Sequence, residues 1–121
     1  MKYELSQKFY FEAAHTLQRT IDAEGSRRIH GHTYHAEATV LGSADPITGM
    51  VVDLGYFREA IDRVRSLLDH QFLDEVQGLG PATLENLCEF VFMELSKSLS
   101  NLVAISIERP ASGDKCTLRA T

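Results

Sequence analysis

The spacing of apolar residues changes twice along this chain, and this change constrains the fold more than any other feature. Apolar and polar residues alternate over positions 33–41, as they do in a strand with one buried face. Apolar residues then recur at helical spacing over positions 54–68 and 84–95, which predicts two amphipathic helices. Alternation returns over positions 103–107. This order predicts an α+β domain, with a four-stranded antiparallel sheet and two helices on one face.

Turn, cap and breaker residues mark the ends of these elements. An aromatic-rich segment, residues 3–14, predicts the first strand. Asp53 and Thr83 stand where helix N-caps are expected. The other segments are predicted to be a polar loop at 18–28, a turn at 45–49, a short β segment at 50–52, a break at 78–81, a turn at 110–114 and a returning strand at 116–119. No linker or repeat interrupts the chain, so residues 1–121 are predicted to form a single domain.

The composition excludes several classes of protein. The chain has 121 residues and a formal net charge of −5, so it lacks the basic excess needed to bind nucleic acid through phosphates. No apolar run is long enough for a membrane span, and no N-terminal signal segment is recognised. Cys88 and Cys116 lie in a helix pattern and a strand pattern. Both are therefore predicted to be buried thiols of a cytoplasmic protein.

Three histidines indicate a metal site. His30 and His32 flank Gly31, and because strand side chains alternate faces, both imidazoles would project from one face about 7 Å apart. His15 ends an aromatic run and would share a face with Phe11 if that run is a strand. Three neutral imidazoles with one open position are typical of a catalytic zinc. Ordinary polar loop histidines are the alternative, because His-Gly-His alone is a weak signal.

A four-stranded open sheet has two unpaired edges. Such edges present free backbone N–H and C=O groups to another chain, and a closed symmetric assembly removes them. We therefore expect an oligomer.

Six short segments, taken in order, resemble the 6-pyruvoyl tetrahydropterin synthase and 6-carboxytetrahydropterin synthase family. They are residues 11–15, 28–32, 45–53, 68–70 and 81–87, and the late Glu108. The resemblance covers nearly the whole chain and implies the tunnelling fold, in which subunits join edge to edge into a barrel and form a hexamer from two trimers. It also implies Zn²⁺ held by His15, His30 and His32, and a pterin pocket at a subunit interface.

The resemblance gives a possible role to five further residues. It implies that His70 exchanges protons beside the metal while Asp69 orients it, although the pair would equally suit a helix C-terminus. It implies that Glu108 accepts the adjacent N–H donors of a pterin, although an exposed strand-end carboxylate is the commoner fate. Thr83 is either a pterin contact or only a helix cap. Arg28 is either a ligand for a substrate triphosphate or a solvated charge.

The chain departs from the family at one catalytic position. Family synthases carry a cysteine shortly before the first His of the His-x-His motif, and the two usual spacings place it at Ser26 or Glu24 here. A serine hydroxyl is a far weaker acid than a thiol and cannot readily form an anion. Three alternatives remain open: Glu24 takes over the proton transfer as a carboxylate, His70 works alone, or the chemistry is lost.

The resemblance implies a zinc-dependent lyase that cleaves the side chain of 7,8-dihydroneopterin triphosphate. The product would be a 6-carboxytetrahydropterin, as in the queuosine pathway, or a 6-pyruvoyl tetrahydropterin. The missing cysteine leaves two alternatives: retro-aldol cleavage to a 6-hydroxymethyl dihydropterin, and a catalytically silent pterin-binding protein. A structural zinc site would instead show a fourth protein ligand.

Overall fold

The computed structural model describes residues 1–121 as one sheet covered by helices on one face. The strands are β1 (Tyr3–His15), β2 (His30–Gly42), β3 (Leu102–Arg109) and β4 (Asp114–Arg119), and the helices are α1 (Ala23–Arg27), α2 (Leu54–Arg65) and α3 (Leu84–Ser96). A short 3₁₀ helix spans Leu73–Glu75. No helix of the protein is long and apolar enough to span a membrane.

The four strands pair in the order β1-β2-β3-β4, and every pair is antiparallel. This confirms the predicted sheet. Its inner face packs against α2 and α3 in one core cluster, which includes Phe11, Tyr34, Ile105, Phe57 and Leu87. Strand alternation sets the opposite face toward solvent, so the outer face of the sheet is polar and open.

Both predicted helix caps are confirmed. The Asp53 carboxylate accepts the N–H of Tyr56 at 3.0 Å, and the Thr83 hydroxyl accepts the N–H of Asn86 at 3.1 Å. Each cap satisfies one backbone donor of the first helical turn, and losing such a cap typically costs about 1 kcal/mol.

Two predicted segments were wrong. The predicted loop at 18–28 contains α1, whose single turn is closed by the Ser26 N–H donating to the Asp22 carbonyl oxygen at 2.9 Å. A helix of five residues is too short to show apolar periodicity. The predicted β segment at 50–52 is irregular. The Met50 carbonyl oxygen accepts the Asp45 N–H at 2.9 Å, and this hydrogen bond closes a turn instead of pairing with a strand.

Two smaller predictions also need correction. β2 begins at His30, three residues before the alternating segment predicted from Thr33. Cys88 is buried as predicted, but Cys116 is only half-buried. Cys116 lies on β4, an edge strand with no neighbour on its far side, which leaves part of its side chain uncovered.

The first edge strand, β1, is covered along only part of its length. Near its end, Glu12 accepts the His70 N–H at 2.6 Å through its carbonyl oxygen, and Ala14 donates its N–H to the Gln71 carbonyl oxygen at 3.1 Å. Ala14 also forms an isolated parallel bridge with Phe72. The segment 69–72 thus lies beside the end of β1 and brings Asp69 and His70 to the sheet.

Candidate metal centre and active site

His15, His30 and His32 form one compact cluster on the inner face of the sheet. His15 ends β1 and lies directly opposite His30, the first residue of β2. The ring centroids are separated by 4.5 Å for His15 and His30, 4.9 Å for His15 and His32, and 5.0 Å for His30 and His32. Their candidate ligand nitrogens all lie within 4.8 Å of one another.

The second nitrogen of two of these rings is fixed by a backbone carbonyl. His15 Nδ1 lies 3.2 Å from the Ala82 oxygen, and His30 Nδ1 lies 2.8 Å from the Arg28 oxygen. A carbonyl only accepts hydrogen bonds, so Nδ1 carries the proton and Nε2 presents its lone pair. Metal-binding histidines are held in this way.

Two ring nitrogens of the cluster lack hydrogen-bond partners, and this makes the cluster suitable for a metal ion. His15 Nε2 and His32 Nε2 are buried and have no hydrogen-bond partner. Buried polar atoms without partners are rare and require an explanation, and a metal ion among three imidazoles provides one. No fourth His, Cys, Asp or Glu joins the cluster, so a four-coordinate zinc ion held by these residues would keep one position open, as in catalytic rather than structural sites.

The electrostatic environment keeps two of these histidines neutral. Burial lowers the pKa of His15, and the charge of His30 lowers it further. Burial, followed by the charge of His15, lowers the pKa of His32 to about 4. Both imidazoles are therefore unprotonated near pH 7, which is the form that binds a metal.

Ser26 lies beside this cluster. It is buried on α1, and it lines a cleft of about 350 Å³ together with His30, His32 and Arg109. Its carbonyl oxygen accepts the Leu17 N–H at 2.7 Å, which ties α1 to the segment after β1. The structure thus brings Ser26, one of the two positions at which the resemblance places a cysteine, to the histidines and supplies a hydroxyl there.

Glu24 and Arg28 lie elsewhere. Their side chains form an ion pair with each other at 3.0 Å, and both are largely exposed, by 80% and 73%. Neither lines the cleft that holds Ser26 and the histidines. In this arrangement the Glu24 carboxylate and the Arg28 guanidinium neutralise each other. The proton transfer predicted for Glu24 and the triphosphate contact predicted for Arg28 therefore stay predictions.

Asp69 and His70 form a preassembled acid–base pair. The Asp69 carboxylate accepts the Glu12 N–H at 2.9 Å, lies 3.2 Å from the Arg65 guanidinium, and lies 2.9 Å from His70 Nδ1. The Glu12 N–H, His70 and Arg65 outweigh the effect of burial and lower the pKa of Asp69. His70 adopts a left-handed backbone conformation with φ 60°, which is uncommon for a residue other than glycine. The pair therefore orients the exposed imidazole with Nε2 free.

His70 lines a second cleft. Its volume is about 590 Å³, and its lining includes His70, His32, Glu12 and Thr33. His32 lines both this cleft and the cleft that holds Ser26, but the structure shows no contact between His70 and the three clustered histidines.

Glu108 lies on the opposite face of the sheet. It pairs across strands with His35 and Lys115, and these three residues line a separate cleft of about 340 Å³ that also includes Tyr10. Thr83 lies in yet another cleft, beside Thr16 and Asp74. Within one chain, therefore, neither predicted pterin contact shares a cleft with the histidines.

Sequence reasoning missed Arg109, which lines the same cleft as His30 and His32. Its guanidinium lies on the inner face, and its Nη2 donates to Asp114 Oδ2 at 3.0 Å. A signal was present, because Ile105, Ile107 and Arg109 are two residues apart and so share a face.

Comparison with known proteins places these features in context. The chain matches the family model described as 6-pyruvoyl tetrahydropterin synthase over residues 4–120. It is 34% identical over 98 residues to a 6-carboxy-5,6,7,8-tetrahydropterin synthase of Synechocystis, a match that covers 76% of this chain and 74% of that protein. It is 39% identical over 74 residues to a 6-pyruvoyl tetrahydrobiopterin synthase of Poecilia reticulata, covering 58% of this chain and 50% of that protein.

The fold is likewise that of a solved structure. The 6-pyruvoyl tetrahydropterin synthase of Caenorhabditis elegans superimposes with a TM-score of 0.87 at 23% identity, covering 100% of this chain and 97% of that one. At this level of identity the match establishes the fold.

Proposed function

The chain belongs to the 6-pyruvoyl tetrahydropterin synthase family, and from this premise we propose that it is a zinc-dependent lyase that cleaves the side chain of 7,8-dihydroneopterin triphosphate. The observation that carries the proposal is the cluster of His15, His30 and His32, with two buried Nε2 atoms that lack partners beside an open cleft. The three histidines would hold the zinc. When bound, the metal supplies Lewis acidity that makes the substrate hydroxyls more acidic.

His70 is proposed to move protons. Its Nδ1–H donates to Asp69, which fixes the tautomer and leaves Nε2 free to take or give a proton in the cleft that His70 lines. Asp69 also stabilises the imidazolium that forms when Nε2 takes a proton. The contact with Glu12 holds the carboxylate in place while this happens.

Glu108 is proposed to bind the pterin ring. A carboxylate can accept two adjacent N–H donors side by side, and the aminopyrimidinone edge of a pterin presents such donors. Because Glu108 lies on the outer face and the histidines on the inner face, we propose that the complete pocket forms between neighbouring copies of this chain. A hexamer of two trimers, as the family resemblance implies, would supply this arrangement.

A mass-based assay tests the proposed reaction. The zinc-loaded protein is incubated with 7,8-dihydroneopterin triphosphate, and the product is identified by mass. A 6-carboxy- or 6-pyruvoyl-tetrahydropterin supports the proposal, and a His30→Ala/His32→Ala double variant serves as the control without metal. Failure to consume any dihydroneopterin derivative would contradict it.

Ser26 favours two alternative functions. A hydroxyl cannot supply the anion that a thiol supplies at this position, so the usual proton shuttle is lacking. If Glu24 leaves its ion pair with Arg28 and acts as the base, the expected product is a 6-hydroxymethyl dihydropterin. If no group replaces the thiol, the protein binds pterin without turning it over. The same assay separates these outcomes, because they predict a smaller product or binding without a product.

A further inference from the structure

Four buried side-chain atoms of this protein have no hydrogen-bond partner: His15 Nε2, His32 Nε2, Tyr34 Oη and Arg109 Nε. A metal ion would satisfy the two imidazole nitrogens. It cannot satisfy Arg109 Nε, because a guanidinium N–H only donates. The neighbourhood of the metal centre thus contains an unused donor that calls for an acceptor of opposite charge.

The structure holds Arg109 firmly beside the histidines. Arg109 ends β3, and its carbonyl oxygen accepts the N–H groups of Ser112 at 3.1 Å and Gly113 at 2.9 Å, which closes the turn to β4. Its side chain is only 21% exposed, and one nitrogen pairs with Asp114 Oδ2 at 3.0 Å. It borders the same cleft as His30 and His32.

The charges around this cleft do not balance once a metal is bound. The cleft is lined by two cationic side chains, Arg19 and Arg109, and by two anionic ones, Asp22 and Asp114, so their formal charges sum to zero. The histidines would be neutral ligands, so they would leave the two positive charges of a bound Zn²⁺ uncompensated. Positive charge in a partly buried site is costly without an anion nearby. The cleft of about 350 Å³ has room for a small anionic group.

We propose that Arg109 binds an anionic group of the ligand in the cleft beside the three histidines. The shared chemistry is that of charged oxygens, which a guanidinium binds through parallel N–H donors. Two sources fit it: a phosphate of the substrate side chain, or a carboxylate formed on that side chain. The identification of the ligand as a pterin rests on the proposed function, but the affinity of this cleft for anions does not.

Calorimetric titration of the zinc-loaded protein tests the proposal with three probes. Tripolyphosphate represents the phosphate source, 6-carboxypterin the carboxylate source, and neopterin is a pterin with an uncharged side chain. Arg109→Gln should weaken binding of the anion that the cleft accepts by about 10- to 100-fold, the loss expected for a hydrogen bond to a charged group. Neopterin binding should change little. Arg119→Gln, at an exposed position of β4, is the matched control and should leave all three affinities unchanged.

The probes separate this proposal from the proposed function. If neither pterin binds but tripolyphosphate binds and depends on Arg109, the pterin function fails and the anion site stands. If 6-carboxypterin alone depends on Arg109, the carboxylate is the source. If Arg109→Gln binds both anions as tightly as the parent protein, or if the parent binds neither, the proposal is overturned.

A second variant keeps the test valid if Arg109→Gln does not fold. Asp114→Asn leaves Arg109 in place and removes the carboxylate that now competes for its guanidinium. It should tighten binding of the accepted anion by several-fold. Unchanged or weaker binding in a folded Asp114→Asn protein would contradict the proposal.

Discussion

At His15 and His30 the partner of one ring nitrogen decides which nitrogen is left free to bind a metal. The carbonyl oxygens of Ala82 and Arg28 accept hydrogen bonds from the Nδ1–H groups of His15 and His30, which leaves both Nε2 lone pairs free. The Ala82 carbonyl comes from the segment before α3, far along the sequence from His15. The alternation of the strands could predict which face the histidines share, but not this carbonyl partner.

Replacing one histidine should remove the metal. Loss of a residue that only hydrogen-bonds to a metal ligand typically weakens metal binding by about 10- to 100-fold. His32→Ala should weaken zinc binding by at least this much, because it removes a direct ligand. Elemental analysis after dialysis measures the zinc content. His35→Ala is the matched control, since His35 lies on the opposite face of the same strand. Full zinc occupancy in a His30→Ala/His32→Ala protein would show that the assignment is wrong.

Ser26→Cys tests the missing thiol. It places a group with a tunable pKa at the same buried position, in the cleft that His30 and His32 line. If the usual proton shuttle is restored, the rate of the carboxy- or pyruvoyl-type reaction should rise, by up to the about 10²- to 10⁴-fold typical of general acid–base catalysis. Product formation followed by mass spectrometry measures this rate.

Glu24→Gln is the companion variant. If it abolishes activity while Ser26→Cys changes nothing, the carboxylate performs the proton transfer instead. In that case the expected product is a 6-hydroxymethyl dihydropterin.

Glu108→Gln should weaken pterin binding and leave the zinc content unchanged. The amide replaces a charged acceptor, and a hydrogen bond to a charged group contributes about 1.5–3 kcal/mol. Calorimetry with neopterin measures the change, and Glu59→Gln on the exposed side of α2 is the control. Equal affinity in the Glu108→Gln and parent proteins would remove Glu108 from the pterin site.

At the scale of elements, the turn after α2 ties a helix to the edge of the sheet. Asp69 and His70 both bond to Glu12 of β1, one through its carboxylate and one through its backbone N–H. The sequence places this pair at a helix end. The packing of α2 against β1 was needed to show the second role of these contacts. They cover the edge of the sheet, and they also orient the His70 imidazole.

Asp69→Asn should therefore destabilise the fold in a pH-dependent way. The pKa of Asp69 is lowered in the folded protein, mainly by the Glu12 N–H, so its stabilising effect is present above the unfolded pKa of about 3.9 and is lost as the pH falls through the lower folded value. At pH 7 the variant should lose about 1 kcal/mol of unfolding free energy, the typical contribution of a hydrogen bond. Denaturant titrations at pH 7 and pH 3 measure it. A loss that grows toward pH 3 would contradict this account.

At the scale of the whole molecule, two sheet edges are left for other chains. β4 has no strand beyond it, and the first half of β1 is not covered by the segment 69–72. Unpaired backbone groups on exposed strands favour pairing with another copy. The separation of Glu108 from the histidines also favours an oligomer. Glu108 of one subunit and the histidines of a neighbouring subunit would then form one pocket.

The protein should accordingly be an oligomer, and a hexamer by the family resemblance. Light scattering over a range of micromolar concentrations measures the mass in solution. A single-chain mass of 13.5 kDa throughout that range would contradict the prediction and, with it, a pterin pocket between subunits.

The sequence by itself determined the features that depend on near neighbours along the chain. The α+β class, the four strands and the caps at Asp53 and Thr83 follow from periodicity and from hydrogen bonds within a few residues. The shared face of His30 and His32 follows from the two-residue repeat of a strand. The short motifs were sufficient to identify the family.

Only the tertiary structure decided the features that depend on which distant segments meet. It brought Arg109 to the histidines, paired Glu24 with Arg28 on the surface, and placed Glu108 on the opposite face. The α1 turn that carries Ser26 is likewise held by a contact with the segment after β1. These positions are set by strand register, by the packing of α2 and α3, and by long-range backbone hydrogen bonds. No local sequence pattern encodes such contacts, because they form only when distant segments meet in the folded chain.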